Sequence, residues 1–365
     1  MDRKRIITFF CTVCLPLCLL LVPLTGATVF AAGKSMNLKF YTHEPAPPPK
    51  VEDQAGTARG YKWLAEQIEK RTDGRIKVKI FWGGTLGPPK DSLKMIGSPG
   101  IADMGNMATW SYRWDVPISG GGPQLPFLTR GLREAPRAMG KLYGEWPYLE
   151  QEWKKWNVKI LCFAISGTYH LAVDYKGAIN KLDDLSGLKV RGVFHYPHVL
   201  KEFGIVNVSM GSRGIYEAIQ RGVIDGAIMP FAPIKVFKWD EVINQIVDFT
   251  FAGGQNPVPI GINLDVWNKI SPADQEIIQK IGSEASDYFA DAVESGENRA
   301  AQYFKAKNIK IVHFSPEEEA RIKRLGAEKA WNIWVEQCKK RGAPGDEFLK
   351  RYLPIVEKVK EGLPK

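Results

Sequence analysis

Residues 186–197 read SGLKVRGVFHYP. Gly187 allows a turn, Leu188 and Val190 alternate as the core side of a short strand, and the residues from Pro197 to Gly204 read as a helix. A strand feeding directly into a helix is the building unit of an α/β protein. Arg191 is the residue a buried strand does not want. Alternation puts it on the same side as Lys189, so spacing alone leaves two readings open: a solvent charge at a strand end, or a guanidinium directed at a ligand.

The same rhythm runs outward in both directions. Upstream, MNLKFYTH (36–43) is a strand that the prolines of EPAPPPKVED cannot continue, TARGYKWLAEQIEKRTDG (57–74) is a helix, and RIKVKIFW (75–82) alternates as a strand. A helix near 89–97 and a short strand at 101–104 follow. From 105 to 128 the text is dense in aromatics, glycine and proline, which reads as a long loop region with Trp110, Tyr112 and Trp114 available to line a cleft. Helix returns at 130–155, then strands at 157–165 and 169–174. Downstream of the opening stretch come a strand near 205–208, a helix at 213–222, and strands at 223–229, 244–252 and 258–267. The stretch from Ser271 to Lys307 reads as one long helix with Ser271 as its cap, either broken near Gly296 or tying two domains together. A late strand at 309–314 implies that at least one domain is assembled from separate pieces of chain.

With 365 residues, 44% of them apolar, the chain can build two domains with their own cores. Arg3, Lys4 and Arg5 precede an apolar run from Ile6 to about Leu24, and Ala27, Ala31 and Ala32 follow, which is the order of a secretory signal peptide cleaved after Ala31 or Ala32. An uncleaved anchor helix is the alternative. Pro16 and Leu17 before Cys18 argue against lipidation. Three of the five cysteines lie in this segment, leaving Cys162 and Cys338 either bridged or free; within VKILCFAI, Cys162 reads as a buried thiol. The net charge of +10 becomes +8 without the signal, and the basic residues are interspersed with acidic ones, so nucleic acid is not the expected partner.

Reactive chemistry has no handle in this text. His195 and His198 form the only close histidine pair, Pro197 lies between them, and no third ligand follows, so the bland reading as a helix start outweighs zinc. Gly120, Gly121 and Gly122 lack the lysine and hydroxyl of a phosphate loop, and neither a dinucleotide fingerprint nor a nucleophile elbow occurs.

GRIKVKIFWGGTLG (74–87), PFL (126–128), DDLSGLKVRG (183–192), YEAIQRGVIDGA (216–227) and INLDVWNKISPADQEII (262–278), in this order, resemble the extracytoplasmic solute receptors of tripartite ATP-independent periplasmic (TRAP) transporters, in the dicarboxylate-receptor (DctP) branch. The likeness extends over about residues 37–345. It implies an α/β, two-lobed periplasmic solute-binding protein with a ligand cleft between discontinuous domains and a long connecting helix. The implied bounds are a signal peptide at 1–32, a first domain of 36–165 with 255–294, a second of 166–254 with 295–345, and a C-terminal helix or tail at 346–365. It implies a periplasmic receptor that catalyses nothing, for which no cofactor or metal is expected, and that delivers a small organic acid to the TRAP permease subunits. A monomer is favoured, with a dimer through the long C-terminal helices as the alternative. A receptor feeding a sensor or another transporter is the alternative, and a secreted hydrolase or lyase a remoter one.

In that family the strand arginine after GLK grips the substrate carboxylate with two prongs, a role that maps onto Arg191 and suits the planar guanidinium. Elsewhere this chain departs from its relatives. Sialic-acid-type members carry a second arginine after GT, where Tyr169 and His170 stand here. The far wall has Ile228 and Met229 in place of polar or metal-holding side chains, and Arg213 beside Gly214 is a candidate second anion contact. The expected pocket is therefore less polar, with Met229, Ile228, Trp110, Tyr112, Trp114, Phe194 and Tyr196 around an apolar or aromatic body. Tyr41, His43, Tyr169 and His170 form the expected polar rim, which suits a monocarboxylate.

Overall fold

The computed structural model describes residues 35–48, 56–211, 214–252 and 255–363; the expected signal peptide and Arg213 lie outside them. A first run comprises β1 (Met36–Tyr41), α1 (Gly56–Arg71), β2 (Ile76–Phe81), α2 (Ser92–Gly97), β3 (Met104–Asn106), α3 (Pro117–Gly121), α4 (Glu134–Glu145), α5 (Pro147–Lys154) and β4 (Val158–Ile165). The chain then crosses to β5 (His170–Val173), β6 (Lys189–Arg191), α6 (Tyr196–Lys201), β7 (Val206–Asn207), α7 (Ile215–Gln220), β8 (Gly226–Met229), α8 (Phe231–Val236) and β9 (Gln245–Val247). It returns through β10 (Pro257–Asn263), α9 (Leu264–Trp267), α10 (Pro272–Ala306), β11 (Lys310–Val312), α11 (Pro316–Lys339) and α12 (Gly345–Glu361).

Two sheets result, ordered β2-β1-β3-β10-β4 and β11-β9-β5-β8-β6-β7. In each, one strand runs against its neighbours: β10 is antiparallel to β3 and β4, and β5 to β8 and β9. Those two strands are the ones that follow a crossover. A chain leaving one sheet at the C-terminal end of a strand enters the other sheet from the shared edge, and so runs opposite to the rest. The C-terminal ends of the remaining strands of both sheets therefore meet at the crossovers 166–169 and 248–256, where open α/β sheets bind ligands.

The Ser271 hydroxyl starts α10 by accepting from the Asp274 backbone N–H, and the helix runs unbroken past Gly296 for 35 residues. Ile278, Ile281, Ala285 and Phe289 cover the first sheet, while Ala300 and Phe304 cover the second. Gly282 permits the close pass over β4: a Cβ there would lie 2.5 Å from the Leu161 carbonyl oxygen. The expected helix at 130–155 is two, parted at Trp146 and Pro147, because proline cannot donate to the preceding turn. The expected loop at 105–128 is mostly buried and contains a short helix and two 3₁₀ turns. Its glycines are packing glycines, since a Cβ on Gly121 would meet the Trp334 ring at 2.6 Å and one on Gly122 the Phe348 ring at 2.6 Å. Cys162 and Cys338 are both free and buried, in separate clusters of the first lobe.

α11 spans both lobes. Ile322 and Ala330 join the core of the second, and Trp334 and Cys338 that of the first, where α12 packs on α4.

Candidate functional site

The junction of the two sheets gathers the polar groups. Arg191 ends β6, half-buried, with Nε donating to the Met210 carbonyl at 3.2 Å and Nη1 reaching the Ile228 carbonyl at 3.5 Å. No carboxylate of the described residues pairs with it, and burial pulls the guanidinium below its ordinary pKa. A half-buried cation whose described hydrogen-bond partners are both carbonyls carries an unmet demand for an anion. Tyr169 stands close enough to couple electrostatically with Arg191, and burial pushes its phenol up to about 12. The phenol lies 3.3 Å from Ser166 Oγ, and the ring meets Phe194 edge-on at 5.1 Å. Phe194 holds a left-handed backbone, φ 51°, at the turn out of β6.

Across the junction, His43 and Trp110 project together from the ends of β1 and β3, ring centres 6.1 Å apart. Trp110 is 45% exposed. The Asn106 amide donates to His43 Nδ1 at 3.2 Å, and burial lowers the His43 pKa. Met229 is half-buried at the end of β8, on the sheet face that carries Arg191, since Val190 and Ile228 both point to the opposite core.

Arg191, Tyr169 and Phe194 come together, while Met229 at the end of β8 and the His43–Trp110 pair beyond β1 and β3 lie at strand ends facing the same crossovers. Other candidates do not. Tyr112 is 7% exposed in the first-lobe core with its hydroxyl 3.1 Å from Ser92 Oγ, because α2 packs over it. Tyr41 is likewise enclosed in that core, its phenol pushed up to about 12 by burial. Tyr196 and Ile228 belong to the second-lobe core, so only the carbonyl of Ile228 faces Arg191. His170 is spent inside the second lobe: its ring stacks on Phe231 at 3.7 Å, and Nδ1 lies 3.1 Å from Asp248, which also meets His313. Trp114 is sandwiched by Arg113 and Arg341 instead of facing a guest. The ring nitrogen of His195 is taken by the Gly121 carbonyl at 3.1 Å.

Reading the sequence missed three residues of the junction. Gln124 donates from Nε2 to Asn256 Oδ1 at 2.8 Å and to Thr109 Oγ1 at 3.3 Å. Glu297 of α10 accepts from the backbone N–H groups of Phe231 and Ala232 at 2.9 and 3.0 Å, and burial raises its carboxyl to about 7. Uncharged amides in PQLPF and GGQNPVP carry no spacing signal, and Glu297 reads as one more helix carboxylate. Two open surface depressions, of about 400 and 380 Å³, lie elsewhere. The charges lining the first already pair, Arg321 with Glu318, and the second is a groove between α4 and α10.

Comparison with known proteins agrees with this architecture. Residues 51–337 match the family model for bacterial extracellular solute-binding protein, family 7 (DctP). The chain is 24% identical over 262 residues to the sialic acid-binding periplasmic protein SiaP of Vibrio cholerae, covering 69% of this chain and 77% of that one. It is 26% identical over 297 residues to a monocarboxylate 2-oxoacid-binding periplasmic protein of Nostoc, covering 79% and 77%. Among solved structures, a marine-metagenome TRAP solute-binding protein in complex with 3-hydroxybenzoate superposes with a TM-score of 0.75 at 20% identity, covering 89% of this chain and 99% of that one. With two sheets meeting at paired crossovers and a family match over most of its length, this chain belongs to the DctP family of bacterial extracellular solute-binding proteins.

Proposed function

We propose that the protein is an exported receptor that closes on a small organic acid, holds its carboxylate on Arg191, and delivers it to a TRAP permease. The observation that carries this reading is the Arg191 guanidinium, half-buried at the lobe junction with backbone carbonyls as its only described partners. The guest is a monocarboxylate with an apolar or aromatic body. Phe194, Met229 and Trp110 supply apolar surface around the guanidinium, whereas Ile228 and Met229 offer no metal ligand or second cation. Relatives of the same fold hold benzoate in Rhodoferax ferrireducens and 3-hydroxybenzoate in the metagenomic protein, which accords with that body. The moving bodies are residues 36–165 with 255–294, and 166–254 with the first part of 295–345, bending at the crossovers and α10; the end of α11, from Trp334, stays with the first lobe. Mass spectrometry of small molecules released from freshly purified protein, followed by calorimetry with the acid found, tests the reading. Saturable binding of a carboxylate supports it. A neutral or cationic ligand, or turnover of the acid, overturns it.

A further inference from the structure

Away from Arg191, positive charge collects at Trp114 with no acid to meet it. The Arg341 Cζ lies over the indole at 4.1 Å from the ring centre, and the Arg113 Cζ at 5.4 Å. A ring attracts a cation but neutralises none of its charge. Arg71, Arg137 and Arg321 meet carboxylates, in Glu284, Asp287 and Glu318. Arg113 and Arg341 meet only carbonyls: Arg341 Nη1 donates to Gln337 O in the last turn of α11 at 2.9 Å, and Arg113 Nη1 reaches Phe194 O at 3.5 Å. Asp115, two residues on from Arg113, forms an ion pair with neither among the described residues. Burial, and then the neighbouring Arg341 charge, pull the half-buried Arg113 guanidinium below its ordinary pKa. The cluster lies on the seam between the lobes. Arg113 precedes α3 of the first lobe, and Arg341 follows the end of α11 that joins the same core. Facing them is the second-lobe turn from Phe194 to His198. Buried His195 ties that turn to the first lobe, with Nε2 3.1 Å from the Gly121 carbonyl; a carbonyl only accepts, so Nε2 carries the hydrogen. Burial first, then the Arg113 and Lys201 charges, hold His198 below its ordinary pKa, so the turn brings a neutral imidazole and no carboxylate.

We propose that Arg113 and Arg341 form a binding site for a divalent inorganic oxyanion, sulfate or hydrogen phosphate, on the lobe seam and separate from the Arg191 cleft. The indole takes up none of their N–H donors, and those not spent on the two carbonyls are available to fork onto oxyanion oxygens. Two negative charges balance two guanidiniums. Chloride or a single carboxylate leaves one cation unmet and, in the case of chloride, offers no oxygens to the fork. The Phe194 ring meets Tyr169 while the Phe194 carbonyl meets Arg113, so one turn borders both places. The site stands or falls independently of the reading of Arg191 given above.

The test follows the Trp114 indole N–H signal in NMR of the full protein, assigned by its loss in Trp114→Phe. Sodium sulfate, and separately sodium phosphate, should move it along a saturating curve in the millimolar range, whereas sodium chloride at matched ionic strength should move it little. Arg341→Gln, at an exposed position, removes one charge-assisted contact and should weaken sulfate binding about 10-fold. Arg113→Gln should do the same, Arg113→Lys should keep part of the affinity, and the double Gln variant should show no saturation. Thermal melts check each fold; if Arg113→Gln melts early, Arg341→Gln carries the test. Arg191→Ala should leave the sulfate curve where it is. Sulfate and chloride acting alike, or saturation surviving in the double variant, overturns the proposal. Saturation lost in Arg191→Ala overturns it too, by putting the anion in the cleft, and leaves the reading of Arg191 standing.

Discussion

Arg191 can be perturbed in two steps whose difference follows from its geometry. Nε is committed to Met210 and one side of Nη1 leans on Ile228, so the Nη2 amine and the other Nη1 hydrogen are unspent. On the proposed reading a carboxylate would dock end-on across Nη1 and Nη2 with a hydrogen bond to each nitrogen. Hydrogen bonds to charged groups contribute about 1.5–3 kcal/mol apiece. Arg191→Ala forfeits both and strands a carboxylate in a half-dry cleft, a loss of about 3–5 kcal/mol, or roughly two to four decades in Kd. Arg191→Lys keeps a point charge but loses the fork and the carbonyl tethers, and should cost about one to two decades. Titration calorimetry with the acid released from purified protein reads both values, and thermal melts check the fold. Neither variant should lower the melting temperature, because a desolvated cation without an acid partner adds no stability. A Kd for Arg191→Ala within about threefold of the parent, with the melt unchanged, refutes the assignment.

Three further outcomes follow from the packing. Because burial raises the Glu297 carboxyl from 4.5 to about 7, the folded state holds that proton more tightly than the unfolded chain. Its contribution to stability is greatest below pH 4.5 and falls as pH rises to about 7, by roughly 3 kcal/mol; urea midpoints across pH 4.5–8 should show the slope, and Glu297→Gln should flatten it. Gly282→Ala drives a Cβ into the Leu161 carbonyl and should destabilise by about 1–3 kcal/mol, seen as a lower urea midpoint at unchanged slope. Ligand addition should change tryptophan emission through Trp110, and Trp110→Phe should remove most of that change; an undiminished signal would place the guest away from the β1 and β3 ends.

The sequence stated the architecture better than the site, and particular residues show why. Ser271 with Asp274 marks a helix start unambiguously, and the apolar period carries the helix through Gly296 because glycine costs a helix only about 1 kcal/mol. Tyr112, Tyr41 and Tyr196 were expected at a cleft, but a ring in irregular or strand-end text does not reveal which way it points. α2 and α6 supply the cores that take them in. Arg191 and Lys189 share a side by alternation, yet Lys189 is exposed and Arg191 half-buried. β6 is only three residues long, and its last residue lies where β8 and the Met210 carbonyl close over it. Gln124 and Asn256 are illegible for a different reason: they meet only because the fold brings together loops 132 residues apart.

The position of β10 also governs the order in which the molecule can be built. It fills the slot between β3 and β4 although it lies more than ninety residues after β4 in the chain. Until residues 257–263 arrive, β3 and β4 each have a bare edge facing an empty place, and the first lobe has no continuous sheet. The N-terminal half therefore cannot mature ahead of the rest as an ordinary leading domain does. The second sheet lacks only β11 at that point, so the delay falls on the first lobe. Pulse-labelled hydrogen exchange should find β3 and β4 amides protected in the same kinetic phase as those of β10, and never before it.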